Sequence, residues 1–344
     1  MVKTDSRNGA GRQKVINAPR TVLLMVCVLL VAGCSQTSRA ASSGSAAGTD
    51  WPKNPIKIYV GATTGGDSDF NARSLMEPLQ KVLGQPVNVI NIAGGTGSVM
   101  LNEFMSQPRD GYSFALRHID QDIIQANGLT AYDWSDYEMT AIYAVSPAYC
   151  FCVDSGSKIK SMKDLAEAAK ANPGGLKFAV NTGGTSHIMV INFADEAGGI
   201  EFNVIDGGSG NEKLIELIGG HVDVTILPFG VVRDYYESGQ VAIIGHTAAE
   251  RNPLFPNAPT CTEQGYKVVW EIAYSLVAAK GTPEEIVGKM TNALKEIQSD
   301  AAYQKVIMDA YCQTPFYLNA SDALTWYADV RISIDKYAAL LQGR

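Results

Sequence analysis

The chain has 344 residues, roughly two domains' worth, of which 46% are hydrophobic and 18% charged. That balance supports a sizeable packed core and excludes wholesale disorder. A formal net charge of −7 excludes the basic face that nucleic-acid binding needs.

The first segment stands apart. Lys3, Arg7, Arg12, Lys14 and Arg20 against Asp5 alone make it net +4, and an apolar run over residues 22–32 leads into Gly33 and Cys34. Positive charge, a short apolar stretch and small residues describe an export signal, too short for a permanent membrane span. Ala32-Gly33-Cys34 resembles the lipobox of bacterial lipoproteins. That likeness implies a signal peptide over 1–33, acylation of the Cys34 thiol, and a lipid-anchored protein on the extracytoplasmic face of the membrane. Loss of the signal's +4 takes the chain from −7 to −11, so attachment must come from the lipid and not from acidic headgroups. Residues 34–50 have almost no apolar bulk and read as a flexible tether.

The folded part begins at Trp51. Residues 56–60 form an apolar strand, followed by a glycine loop and a helix with Ala72, Leu75, Met76, Leu79, Val82 and Leu83 on one face. A second strand at 87–92 leads into another glycine loop and a helical stretch, and further strands are expected at 114–116 and 141–145. The order recurs with a strand at 178–180, a glycine loop and a helix from 188. A strand at 202–205, a loop, a helix over 212–218 and a strand at 222–227 follow. The tail predicts a strand near 274–279, a helix over 283–297, a strand near 312–317 and a helix over 321–341. Strand, glycine loop and helix in repetition is the pattern of mainly parallel sheets covered by helices. Two such runs predict an α/β protein of two lobes. Residues 51–152 and 266–344 form lobe 1, and 153–265 form lobe 2, an insertion with two crossings.

Four loops carry the chemistry: 61–69 (GATTGGDSD), 93–98 (AGGTGS), 181–187 (NTGGTSH) and 207–211 (GGSGN). At the C-terminal edge of a parallel sheet such loops line a ligand crevice. Glycine lets backbone N–H groups approach a ligand, and each following helix adds about half a positive charge at its start. One such loop need only make a turn; four at equivalent strand ends point to a site for a small carboxylate, held without any basic side chain.

Enzyme signatures are poor. Gly61 and Gly66 have the spacing of a phosphate loop, but Asp67 stands where lysine is required. No G-x-G-x-x-G follows a strand, and 208–210 lacks the spacing of a nucleophile elbow. His118, His187, His221 and His246 show no metal-ligand spacing, and no cofactor or metal is expected. Asp69 reads as a helix N-cap that could also reach a ligand through water. Asp120 and Asp122 follow a strand and could face the cleft, favouring a ligand with a donor or a positive group, while Arg117 could pair with a ligand carboxylate. Trp270 and Tyr274 read as core residues able to stack on a ligand. Cys150 and Cys152 alternate in a strand-like run at a Cα separation of about 6.5 to 7 Å, at or beyond the limit for a bridge. With Cys261 and Cys312 they read as buried free thiols, although an exported protein permits disulfides.

Short motifs in order then identify a family. The opening WPKNPIKI (51–58), GGDSD (65–69) with Ala72-Arg73, LGQPV (83–87) with Asn91, and AGGTG (93–97) resemble the solute receptors of tripartite tricarboxylate transporters, also called the Bug or TctC family. Pro108-x-Asp-Gly-Tyr112, GGHVD (219–223), ESGQ (237–240), APT (258–260) with Glu263 and Gly265, and GTP (281–283) continue the resemblance to nearly the end of the chain. It implies a type II periplasmic-binding fold with two hinge strands, no catalysis, and delivery of a small organic acid or amino acid to a membrane permease by a monomeric receptor. A receptor read by a signalling partner is the alternative, and an enzyme on the same fold a third. Carried over, the first grip is Thr63, Thr64, Gly65, Gly66, Asp67, Ser68 and Asp69, with Asp120 beside it. The second is Thr182, Gly183, Gly184, Thr185, Ser186 and His187. Asp67 departs from the family pattern, where glycine is usual, and an extra acid there disfavours a polyanion such as citrate.

Overall fold

A computed structural model describes residues 50–146 and 148–342. The expected export signal, the Cys34 expected to be acylated and the expected tether up to residue 49 lie outside the described residues.

The first half builds one sheet. Strands β1 (Ile56–Val60), β2 (Val87–Asn91) and β3 (Ser113–Arg117) are parallel, with β1 in the middle. Every residue of β3, and all of β1 but Lys57, is buried, as expected of strands covered by helices on both faces. The connecting helices are α1 (Asp67–Arg73), α2 (Met76–Leu83), α3 (Ser98–Ser106) and α4 (Ile119–Ala126). The single helix expected over 72–83 is two, broken at Ser74-Leu75. The long strand β4 (Tyr137–Ser146) then leads across to the second sheet.

That sheet holds β5 (Tyr149–Asp154), β6 (Lys177–Val180), β7 (Asn203–Asp206), β8 (Val224–Pro228) and β9 (Val241–His246), in the order β7-β6-β8-β5-β9. Strands β6, β7 and β8 are parallel; β5 runs antiparallel to both β8 and β9. Helices α5 (Met162–Ala171), α6 (Thr185–Glu196), α7 (Gly210–Ile218) and α8 (Phe229–Glu237) flank it. Because β5 pairs wholly within the second sheet, the first crossing falls between Ser146 and Tyr149, and not at residue 152 as expected from the sequence.

The tail returns. Strand β10 (Ile272–Ala279) lies antiparallel between β3 and β4, so the first sheet reads β11-β4-β10-β3-β1-β2 once β11 (Leu318–Asn319) is added. Helices α9 (Glu284–Ile297), α10 (Ala301–Tyr311) and α11 (Ala320–Gln342) complete it. The strand expected near 312–317 is absent. Helix α10 occupies 301–311 and ends on Cys312, whose φ of 54° is a left-handed cap that turns the chain out of the helix. Helix α11 reaches the second lobe, where Asn192 Nδ2 donates to Tyr337 Oη at 2.8 Å while Trp270 Nε1 donates to Asn192 Oδ1 at 2.9 Å. One amide thus ties the tail, the second crossing and α6 together. Cys150, Cys152, Cys261 and Cys312 are buried and free. No helix among the described residues is long and apolar enough to cross a membrane.

Candidate functional site

The strands β1, β2, β3, β6, β7 and β8 all end toward one hollow of about 640 Å³. All four glycine loops line it, through Gly61 to Thr63 and Gly66 to Ser68 on the first, Ala93 to Thr96, Asn181 with Thr182, Thr185 and Ser186, and Gly208 to Gly210. Two sheets therefore present the starts of their helices to a common space.

The lobe-1 wall is acidic. Asp67 opens α1 and is only 8% exposed. Its carboxylate accepts hydrogen bonds from the Tyr274 hydroxyl and, at 3.5 Å, from Tyr149 of β5. Burial outweighs these bonds and pushes the Asp67 carboxyl up to about 6. Two residues on, Asp69 has the opposite environment. It accepts from Arg73 Nε at 2.9 Å, Asn91 Nδ2 at 2.9 Å and the Gly65 N–H at 2.8 Å. Burial alone would raise its carboxyl, but these donors hold it below the usual range. Asp69 does not line the hollow, and it is not the N-cap either: the cap is Gly66, and Asp69 closes the loop from the first turn. Ser68 Oγ meets His118 Nε2 at 3.2 Å, and His118 caps α4 by accepting the Asp120 N–H on Nδ1. That leaves the hydrogen on Nε2 to donate to Ser68, and burial lowers the imidazole's basicity so that the ring is neutral.

Asp120 crosses the hollow. Its Oδ1 accepts the Thr185 N–H at 2.6 Å and the Thr185 hydroxyl, while Oδ2 takes Asn181 Nδ2 at 3.5 Å. A lobe-1 carboxylate thus sits on the start of lobe-2 helix α6. Asn211 Nδ2 donates to the Gly65 carbonyl at 2.8 Å, and the Thr96 hydroxyl to the Thr182 carbonyl at 3.0 Å. Thr96 has φ 53°, an uncommon conformation for a β-branched residue, and its cross-lobe bond helps to hold it. Gly184, the cap of α6, has no space for a Cβ, which would come within 2.6 Å of Asn181 Nδ2 and 2.9 Å of Thr96 Cγ2.

Other expected residues lie elsewhere. Asp122 is not in the cleft. It is buried against Arg117 at 3.4 Å and accepts from Trp134 Nε1 at 2.7 Å, and burial raises its carboxyl to about 6. Arg117 is 1% exposed, stacked 3.8 Å over Trp134, and cannot reach a ligand. Thr64, Gly65, Gly183, Gly184 and His187 support the loops without lining the hollow. The His187 ring accepts the Gly183 N–H at 3.1 Å, folding back on its own turn. Trp270 bonds to Asn192, and Tyr274 holds Asp67 instead of offering a stacking face.

The sequence reading missed Lys213, Tyr149 and His118. Lys213 of α7 lines the hollow yet is 3% exposed. Its Nζ donates to Ser186 Oγ at 3.1 Å and the Ile226 carbonyl at 2.9 Å, and burial lowers the ammonium to about 8. Its signal was legible: Lys213 lies one turn before Leu217, on the buried face that Leu214 and Leu217 define. Among the described residues no cluster of His, Cys, Asp and Glu could hold a metal ion.

Residues 71–340 match the model of the tripartite tricarboxylate transporter family receptor. A "UPF0065 protein in gbd 5'region" of Cupriavidus necator is 27% identical over 316 residues, covering 91% of this chain and 94% of the relative. The structure of a periplasmic binding protein, BugD, superposes with a TM-score of 0.75 at 25% identity, covering 85% of this chain and 98% of that one. An R. palustris protein, Rpa4515 with adipate, superposes with a TM-score of 0.76 at 22% identity, covering 86% and 99%.

Proposed function

The chain belongs to the tripartite tricarboxylate transporter receptor family, and from that premise we propose that it captures a small carboxylate between its lobes on the outer face of a membrane and hands it to a permease. One observation carries the reading: glycine loops and helix starts from two separate sheets line a single hollow of about 640 Å³. Donors aimed at one space from both lobes stabilise a carboxylate and couple its binding to closure. The adipate of the R. palustris neighbour is a ligand of this chemical kind.

The grip consists of Thr63, Gly66 and Ser68 from lobe 1, with Thr182, Thr185 and Ser186 from lobe 2. Thr64, Gly65, Asp69, Gly183, Gly184 and His187 shape the turns that hold them. No step of bond making is assigned to the site; the receptor binds and releases, as a monomer tethered through an acylated Cys34. Titration calorimetry of the purified full chain against a panel of small mono- and dicarboxylates tests the binding claim. Saturable binding of at least one member, weakened by Ser186→Ala, is expected; silence across the panel sinks the reading. The anchor is tested separately by Cys34→Ser, which should move the protein from the membrane to the soluble fraction.

A further inference from the structure

We propose that Lys213 is the counter-ion for the ligand's carboxylate, and that the ligand is a monocarboxylate carrying an amine at its other end. This deepens the receptor reading above and rests on it.

The ammonium of Lys213 is the starting point. It has three donors, two of which go to Ser186 Oγ and the Ile226 carbonyl. Among the described residues no carboxylate lies within ion-pair distance of it. A nearly fully buried cation with no directly paired anion is costly to maintain, yet it borders the hollow where a carboxylate is to be held. Ser186, which positions Lys213, also receives the Asn181 N–H at 2.7 Å, so lysine and loop are fixed together.

The rest of the hollow says what the other end of the ligand is. Among its described lining residues Lys213 is the lysine or arginine present, facing Asp67, Asp120, Asp206 and Glu212. Glu212 is engaged by the Ser209 N–H at 2.7 Å and Asp206 by the Thr182 N–H at 3.3 Å. Asp67 stands on the lobe-1 wall, held by Tyr274 and Tyr149, whereas Asp120 bonds Thr185 beside the Ser186 that holds the lysine. A second ligand carboxylate would enter a field of acids with no second cation. An amine meets negative charge there, and its own charge favours ionised Asp67.

The ammonium's depressed basicity fits. Burial lowers it, while Asp120 from α4, Cys152 from β5 and Asp206 from β7 face it and act the other way. A bound carboxylate would restore the charged form, so affinity should depend on pH near 8.

The test is calorimetry of the full chain at pH 7 with straight-chain ω-amino carboxylates and dicarboxylates of three to seven carbons, plus the common α-amino acids. At least one amino carboxylate should bind, with the dicarboxylate of equal length at least about tenfold weaker. Lys213→Met should weaken the best ligand roughly thirtyfold or more, and Lys213→Arg should retain most of the affinity. The wild-type affinity should fall about tenfold from pH 7 to pH 9, and that fall should vanish in Lys213→Arg. Thermal melting checks that each variant is folded. Dicarboxylates binding as well as amino carboxylates, or a folded Lys213→Met that binds normally, overturns this proposal and leaves the receptor reading standing. No binding by any carboxylate overturns both.

Discussion

The two walls of the hollow solve opposite problems. On lobe 1, buried Asp67 and half-buried Asp120 are acids whose oxygens are already occupied by Tyr274, Tyr149 and Thr185. On lobe 2, Lys213 is a buried base with hydrogen bonds but, among the described residues, no carboxylate within ion-pair distance. Asp67 and Asp69 repeat the contrast within one loop. Two carboxylates two residues apart are shifted in opposite directions because burial outweighs two tyrosine hydroxyls at Asp67, while a guanidinium, an amide and a peptide N–H outweigh burial at Asp69. Residue type therefore does not set the electrostatics here; the balance of burial against donors does.

The largest expected effect concerns the lobe-1 loop. Gly66 lines the hollow, and a Cβ there meets only the Thr63 carbonyl, at 3.8 Å. Gly66→Val should fold, shift the melting temperature little, and abolish detectable ligand binding by calorimetry. Unchanged affinity would remove this loop from the site.

Next is Lys213. Its folded-state basicity is lowered from 10.5 to about 8, so between those values the unfolded chain binds more protons and stability rises with pH. The ligand-free protein should gain up to roughly 3 kcal/mol across that window, at about 1.4 kcal/mol per pH unit. Denaturant unfolding of Lys213→Met should lack the gain; an identical slope in the variant would show that the lysine is not burdened by burial.

Asp67 gives the mirror experiment. Its folded value is raised from 3.8 to about 6, so the stabilisation is fully present below about pH 4 and lost as pH rises through 6. Relative to Asp67→Asn, the wild type should lose up to roughly 3 kcal/mol over that interval. Asp122 shifts in the same direction, so only the difference between the two proteins isolates Asp67.

The smallest effect belongs to the cross-lobe bond. Asp120→Asn keeps an oxygen for Thr185 but loses the charge, worth about 1–2 kcal/mol for a hydrogen bond to an ion. Small-angle scattering of the ligand-free protein should show a modestly larger radius of gyration. An unchanged curve would mean that Asn211–Gly65 and Thr96–Thr182 suffice to hold the lobes.

Much of the architecture was legible because short runs rich in β-branched residues, such as Ile56–Val60 and Val87–Asn91, are followed by glycine loops. Elements with weaker contrast were not. Helix α5 is rich in alanine and charge, α8 starts directly after Pro228 and carries a glycine at its second position, and α10 lacked a breaker at Cys312. At the site the loops announced themselves through glycine. Partnerships across the lobes could not, since Asp120 meets Thr185 and Asp67 meets Tyr274 over long stretches of sequence. Arg117 and Asp122 sat in a segment that looked like a cleft loop, yet helix α4 turns Asp122 inward to a partner on the strand before it.

The bond from Asp120 to the start of α6 has a thermodynamic consequence. The receptor carries a built-in competitor: an incoming anion that wants those amides must first displace a tethered one of the same chemistry. Apparent dissociation constants are then inflated by the strength of the self-contact. Neutralising Asp120 raises the intrinsic attraction of that seat for anions even as it loosens the shell around it.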